Sequence, residues 1–109
     1  GGFEEAVNVV NGGAIPNLPD GAIVEVPAYV ARDRILPLRV GPLPAGIAEL
    51  CARQVAIQEL VVQAAVHGDR KAALQALALD PVVPDMETAR WVLDELLRTH
   101  AAYLPQFRE

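Results

Sequence analysis

The chain has 109 residues, of which 52% are hydrophobic and 21% are charged, with a formal net charge of -5. This length is typical of one small domain. The basic residues are scattered, which argues against nucleic acid and anionic membranes as partners, because phosphate contacts need clustered Lys and Arg. No apolar stretch reaches the roughly 18 residues of a transmembrane helix.

The chain starts abruptly at Gly1, without Met and without the basic and apolar regions of a signal peptide. We therefore expect a fragment or a processed product. The single cysteine, Cys51, excludes an internal disulfide and a cysteine-based zinc finger. Its isolation favours a reducing, cytoplasmic location.

A small antiparallel strand region is predicted at about 7–40. Short runs rich in β-branched residues mark its strands, at 7–10, 22–26 and 35–40. Prolines within or beside the later runs predict edge positions or a bulge, because proline cannot donate to a strand ladder. An isolated hairpin of this size is marginal in water, so the strands are expected to join a larger sheet.

The loop between the first two strands is the most distinctive segment. From Asn11 to Gly21 it holds three Gly, two Pro and two Asn. Loops of this composition often carry binding residues, which makes Asn11 and Asn17 the candidate residues of a substrate pocket or an interface. The alternative is a structural turn, in which the Asn side chains satisfy the local backbone.

Three helices follow, at about 45–67, 69–79 and 85–103. Apolar residues at helical spacing predict the first and the last, and Ala, Leu and Gln favour the second. Gly68 is the expected end of the first helix, and Asp69 and Asp85 are the expected N-caps of the other two. The predicted fold class is therefore α+β.

The sequence offers no complete catalytic, cofactor or metal site. It has no G-x-G-x-x-G, Walker, H-E-x-x-H or C-x-x-C motif, and it contains no serine. Cys51 and His67 would point about 160° apart on one helix, so they cannot share a metal ion. Cys51 is expected to be a core thiol, and His67 and His100 are expected to cap helices or lie at the surface.

Two aromatic side chains are candidate sugar-stacking platforms. Trp91 lies one residue before a predicted inward position, and Tyr103 lies near the predicted end of the last helix. Packing or an interface is the expected role of Trp91.

The order of landmarks along the chain is specific. It runs N-G-G-A-I-P-N-L-P (11–19), I-V-E-V-P (23–27), L-R-V-G-P-L-P (38–44), R-Q-V-A-I-Q-E-L (53–60), G-D-R (68–70), A-L-Q-A-L (73–77), D-P-V-V-P (80–84) and Y-L-P-Q-F (103–107). This order resembles the C-terminal part of glycoside hydrolase family 4. That family contains 6-phospho-β-glucosidases, 6-phospho-α-glucosidases, α-glucosidases, α-galactosidases and α-galacturonidases.

The resemblance implies a glycosidase that uses NAD and a divalent metal, commonly manganese. Family members are thought to oxidise the sugar C3 hydroxyl by hydride transfer, which acidifies the C2 proton. Elimination then expels the aglycone, water adds, and C3 is reduced again. In such enzymes the cofactor supplies the difficult chemistry and the protein orients it.

The family's dinucleotide-binding glycines, metal-binding Cys and His motifs and Tyr base belong to earlier regions, and none of them occurs in these 109 residues. The resemblance therefore implies a C-terminal portion of a substrate and oligomerisation domain, without its dinucleotide-binding domain. Its partners would be the rest of the parent chain and further copies in a homo-oligomer. The competing hypothesis is an independent helical interaction module that dimerises through apolar helix faces and has no catalytic role.

Overall fold

The computed structural model describes residues 1–107, and it confirms the predicted α+β order of strands followed by helices. The elements are β1 (Gly2–Val10), β2 (Ile23–Val30), β3 (Ile35–Pro37), α1 (Ala45–His67), α2 (Arg70–Leu79), α3 (Met86–Thr99) and two short 3-10 turns at Ala101–Tyr103 and Pro105–Phe107. The chain divides into two compact units, Gly1–Ala52 and a second that begins at Arg53.

The three strands form one antiparallel sheet in the order β1-β2-β3. β1 begins at Gly2, whereas the sequence predicted its start near residue 7. The earlier residues join the sheet because β2 is long enough to pair with them, with Phe3 opposite Tyr29. Glu4 and Glu5 have low strand propensity, so the sequence alone did not indicate this extension.

Both prolines of the sheet occupy positions where no N–H is needed. The β1–β2 register shifts between Glu4 and Val7, so two residues of β1 face Pro27 across a bulge. The Pro27 carbonyl still accepts a hydrogen bond from the Leu38 N–H at 2.9 Å. Pro37 lies in β3, an edge strand. The predicted bulge or edge positions are therefore confirmed.

The core of the first unit is built by the loop as much as by the sheet. Its buried members are Ala14, Ile15 and Leu18 from the loop and Val24 and Val26 from β2. Val9, Leu43 and Cys51 pack against this cluster and are partly buried. Each aliphatic side chain that is fully buried contributes roughly 1.5–3 kcal/mol. Cys51 therefore packs against the core as predicted, although it is only half-buried.

The helix ends follow the predicted capping residues. The Asp69 carboxylate accepts from the Ala72 N–H at 3.0 Å, and the Asp85 carboxylate accepts from the Thr88 N–H at 2.7 Å. Gly68, with φ at +65°, ends α1. None of the helices within residues 1–107 is long and apolar enough to span a bilayer.

α3 ends at Thr99, whereas the sequence predicted helix as far as Tyr103. The His100 N–H still bonds the Leu96 carbonyl, but the chain then tightens into a 3-10 turn through the bond from the Tyr103 N–H to the His100 carbonyl. Pro105 keeps the chain from returning to an α-helix at Leu104, because proline disfavours helical backbone at the residue before it.

The Asp85 cap predicts a pH dependence of stability. Hydrogen bonds from Thr88 hold the pKa of Asp85 below its ordinary value. A carboxyl with a depressed pKa in the folded state stabilises fully above its ordinary pKa, and that contribution is lost as the pH falls through the folded pKa. Asp85→Ala should therefore lower Tm at pH 7. The difference in Tm between the variant and the wild-type chain should become smaller as the pH is lowered into the acidic range. Thermal melts between pH 7 and the acidic range measure this change. A difference in Tm that does not vary with pH would contradict the role of Asp85 as a helix cap.

Candidate functional site

Asn11, the first candidate residue, is a buried amide at the base of the loop Asn11–Pro19, with 2% of its surface exposed. Its Nδ2 lies 2.9 Å from the Ile15 carbonyl and 3.1 Å from each of the Leu18 and Pro19 carbonyls. Its Oδ1 accepts from the Ile15 N–H at 2.7 Å. One side chain therefore organises four backbone groups of its own loop.

Backbone hydrogen bonds join the two ends of the loop where it leaves and re-enters the sheet. The Asn11 N–H bonds the Ala22 carbonyl at 2.8 Å, and the Gly12 N–H bonds the Asp20 carbonyl at 2.9 Å. Gly12 and Gly13 both have positive φ, at +51° and +91°, which side-chain-bearing residues rarely adopt. The tight path of the loop thus depends on this glycine pair.

Asn17, the second candidate residue, lies at the exposed side of the same loop. Its Nδ2 donates to the Leu43 carbonyl at 2.8 Å, and its Oδ1 accepts from the Leu43 N–H at 2.9 Å. The side-chain amide pairs with Leu43 as a neighbouring strand residue would. It fastens the loop to the proline-rich connector before α1.

Both candidate amides are occupied by backbone groups, which is the arrangement that the structural alternative describes. The Asn11 amide is buried and its donors are engaged, whereas Asn17 is exposed and donates only one hydrogen bond, to the Leu43 carbonyl. An approach of the loop to a substrate pocket or to a neighbouring subunit stays a prediction. If it occurs, the contacting groups are the exposed parts of the loop and its neighbours rather than the Asn11 amide.

A residue that sequence reasoning did not single out lies beside this loop. Arg39 lines an open cavity of about 320 Å³, together with Val10, Asn11, Gly12, Ala14 and Pro37. Its Nη1 lies above Gly13, 3.4 Å from the position that a Cβ would take there. No local sequence signal marks this residue, because the segment that carries it meets the loop only in the folded chain.

The remaining chemically versatile side chains do not converge. Within residues 1–107, no three His, Cys, Asp or Glu side chains could together hold a metal ion. Trp91 and Tyr103 are largely exposed, at 65% and 82%. Both rings are therefore accessible to a ligand or a partner protein.

The second unit contains an open apolar cleft of about 300 Å³. Val61 and Ala64 of α1, Leu93 and Leu97 of α3, and Phe107 are among its lining residues. Among the described lining residues, Asp80 is the only charged one. The Asp80 carboxylate accepts a hydrogen bond from the Val82 N–H at 2.9 Å and so stabilises the turn after α2. The described lining of this cleft is therefore mainly apolar surface.

Comparison with known sequences identifies the family. The profile of the family 4 glycosyl hydrolase C-terminal domain matches residues 2–83. A probable 6-phospho-β-glucosidase of Bacillus subtilis is 39% identical over 103 residues, which are 94% of this chain and 23% of that protein. An α-galacturonidase of the same organism is 39% identical over 93 residues, covering 84% of this chain and 21% of that protein. The chain thus spans about a quarter of the length of the curated relatives it matches.

Solved structures agree with the sequence matches. A 6-phospho-α-glucosidase from gut microorganisms, in complex with NAD and glucose-6-phosphate, superposes with a TM-score of 0.89 at 35% identity, covering 94% of this chain and 23% of that one. The Thermotoga maritima 6-phospho-β-glucosidase with manganese, NAD+ and glucose-6-phosphate gives 0.85 at 31% identity, covering 94% and 25%. This chain therefore belongs to glycoside hydrolase family 4, in the region of that family's C-terminal domain.

Proposed function

We propose that this chain is the C-terminal portion of an NAD- and manganese-dependent glycosidase that hydrolyses O-glycosyl bonds in the cytoplasm. The observation that carries the proposal is the family match over residues 2–83, together with the fold agreement with enzymes bound to NAD and manganese. The oxidation, elimination, addition and reduction sequence is the chemistry that this family membership implies.

The described residues do not by themselves form a complete site for either cofactor. The described residues hold no cluster of metal ligands, and the sequence has no glycine-rich dinucleotide loop. No step of the reaction is therefore assigned to a side chain here. The proposed role is structural: the chain completes the substrate domain and supplies contacts to the rest of the parent chain and to further subunits of a homo-oligomer.

The loop Asn11–Pro19 is the segment proposed to approach the substrate pocket or a neighbouring subunit. Its internal bonds support this role, because binding surfaces are more effective when they are held before the ligand arrives. Asn11 and Asn17 would then act as positioning residues that hold the loop, without touching the sugar.

The proposal predicts that the 109-residue chain alone does not hydrolyse nitrophenyl glycosides when NAD+ and Mn2+ are supplied. The physical reason is that the described residues contain no group of side chains that could hold a metal ion, and that the sequence has no dinucleotide-binding loop. The release of nitrophenol is measured against a buffer blank and an intact family 4 enzyme. Turnover by the chain alone would overturn the scaffold role.

An independent helical interaction module is the second candidate. The observation in its favour is the apolar surface that α1 leaves exposed, with Ile47, Leu50 and Val66 at 51%, 64% and 66%. Exposed apolar patches often mark interaction sites. Sedimentation velocity of the chain tests the second candidate: a monomer at all protein concentrations would remove the interaction module.

A further inference from the structure

Three large apolar side chains form a row across one face of the sheet. The strand register places Phe3 of β1 opposite Tyr29 of β2, and Tyr29 opposite Leu36 of β3. Directly opposed residues of neighbouring strands lie on the same face and contact each other. The three residues are about half exposed, at 56%, 48% and 48%. The Phe3 row, which consists of these three residues, therefore presents continuous apolar surface.

The Phe3 row lies on the face of the sheet that is opposite the core of the first unit. Side chains alternate between the two faces along a strand. In β2, Val26 and Ala28 are 2% and 0% exposed, whereas the next residue, Tyr29, is exposed. On the Tyr29 face, the exposed polar pair of Asn8 and Glu25 separates the row from the far end of the sheet. The apolar surface is therefore confined to the end of the sheet where β1 begins.

The chain enters the sheet beside the same row. A Cβ placed on Gly1 would lie 3.1 Å from Cε1 of the Tyr29 ring and 2.8 Å from the Val30 carbonyl oxygen. The Gly1 backbone therefore lies close against the edge of this ring. A segment that continues before Gly1 starts next to the row, and its covalent attachment gives it a high effective concentration there.

Family 4 relatives contain the chain from which such a segment would come. The region matched here is 23% of the Bacillus subtilis probable 6-phospho-β-glucosidase, and the family profile is that of a C-terminal domain. Most of a relative of this kind therefore precedes the start of β1. A second copy of this chain would have no covalent attachment beside the row, so the preceding segment is the favoured occupant.

We propose that the Phe3 row is the docking surface for the segment of the parent chain that directly precedes Gly1, and that this segment covers the row with apolar side chains. The inference rests on the proposed function, because it needs a longer parent chain, and it names the surface that holds the two parts together. Its test measures side-chain accessibility and not hydrolysis. An inactive protein in which the row is covered would contradict the proposed function and leave the docking surface standing.

The experiment compares the 109-residue chain with a chimera in which it replaces the C-terminal part of the B. subtilis protein. Hydroxyl-radical labelling followed by mass spectrometry measures how fast each side chain is oxidised. Oxidation of the three side chains of the row is expected to be slower in the chimera by about threefold or more, because the centre of an interface is packed as densely as a protein interior. Ile35 is the internal control. It is 47% exposed and lies next to Leu36 on the other face of β3, so its rate should stay unchanged.

A second chimera identifies the occupant of the row. In this protein, the segment directly before the junction is replaced by a Gly/Ser linker of equal length, which is flexible and has no apolar side chains. The protection of the row is expected to be lost. Protection that persists would mean that another part of the protein covers the row, and it would overturn the proposal.

Leu36→Ser and Ile35→Ser are matched variants of the first chimera. Leu36→Ser removes part of the docking surface, so oxidation of Tyr29 should rise toward its rate in the isolated chain, whereas Ile35→Ser should leave it slow. Equal Tyr29 rates in the two variants, equal slowing of Ile35 and the row, or a row oxidised equally fast in the chain and the chimera would each overturn the docking surface. Protection in the isolated chain that grows with its concentration would identify a second copy as the occupant and would also overturn the proposal.

Discussion

Replacing Asn11 by leucine is expected to destabilise the chain by roughly 3–6 kcal/mol, because several buried backbone groups lose their partner at once. The amide is 2% exposed and serves the Ile15 N–H and the carbonyls of Ile15, Leu18 and Pro19. Leucine fills a similar volume but offers no hydrogen bond. Small domains are stable by only about 5–15 kcal/mol, so this change removes a large share of the total.

Urea unfolding followed by circular dichroism measures this loss, and Asn17→Ala is the matched control from the same loop. The two bonds of Asn17 to Leu43 are exposed, so the released groups can turn to water. The control should cost only about 1 kcal/mol. Equal losses of unfolding free energy in the two variants would contradict the argument that the buried Asn11 amide stabilises the chain more than the exposed Asn17 amide.

Asn11→Asp separates the hydrogen-bond argument from the effect of side-chain volume. The aspartate keeps an acceptor for the Ile15 N–H, but its second oxygen faces the carbonyls that the Nδ2 contacts now. The ionised form should therefore be strongly destabilised at pH 7, and protonation in mild acid should restore part of the loss. Stability equal to wild type at pH 7 would contradict the described network.

Replacing Gly68 by alanine is expected to destabilise the chain by roughly 2–4 kcal/mol, through backbone strain and a steric overlap. Gly68 has φ at +65°, and a Cβ at this position would overlap the backbone carbonyl of Gln106. The Asp69 N–H bonds the Ala64 carbonyl at 3.2 Å, which is a bond of the Schellman motif that closes α1. The Gln106 Nε2 satisfies the neighbouring Ala65 carbonyl at 2.8 Å. Alanine disturbs the helix end and the C-terminal turn together.

The control for this prediction is Gly46→Ala in the same helix, where an added Cβ meets nothing within 4 Å. That change should be neutral or stabilise by up to about 1 kcal/mol, because alanine has the higher helix propensity. Gln106→Ala removes one exposed hydrogen bond without an overlap, so it should cost less than Gly68→Ala. Thermal melts compare the three variants, and a Gly68→Ala protein as stable as wild type would contradict the close approach.

Local rules predicted the helix boundaries well because the relevant interactions are local. Asp69 and Asp85 cap the helices that follow them, and Gly68 adopts the left-handed backbone that ends α1. The early end of α3 has no such local signal, because the nearest proline, Pro105, lies well beyond Thr99.

The loop and its neighbours could not be predicted in the same way. Its Gly, Pro and Asn content indicated either a binding loop or a structural turn, and neither alternative predicted that Ile15 and Leu18 lie in the core of the first unit. Burial of Asn11 depends on the loop folding back over the sheet, which no short sequence window contains. Arg39 reaches the loop through a strand pairing that is equally non-local.

The most direct test of the family 4 role is a chimera. The C-terminal part of the Bacillus subtilis probable 6-phospho-β-glucosidase, which is 39% identical over 103 residues, is replaced by this chain. Hydrolysis of a nitrophenyl 6-phospho-β-glucoside is measured with NAD+ and Mn2+, beside the intact enzyme and the same enzyme without its C-terminal part. We expect activity in the chimera and none in the shortened enzyme. A folded chimera as inactive as the shortened enzyme would contradict it.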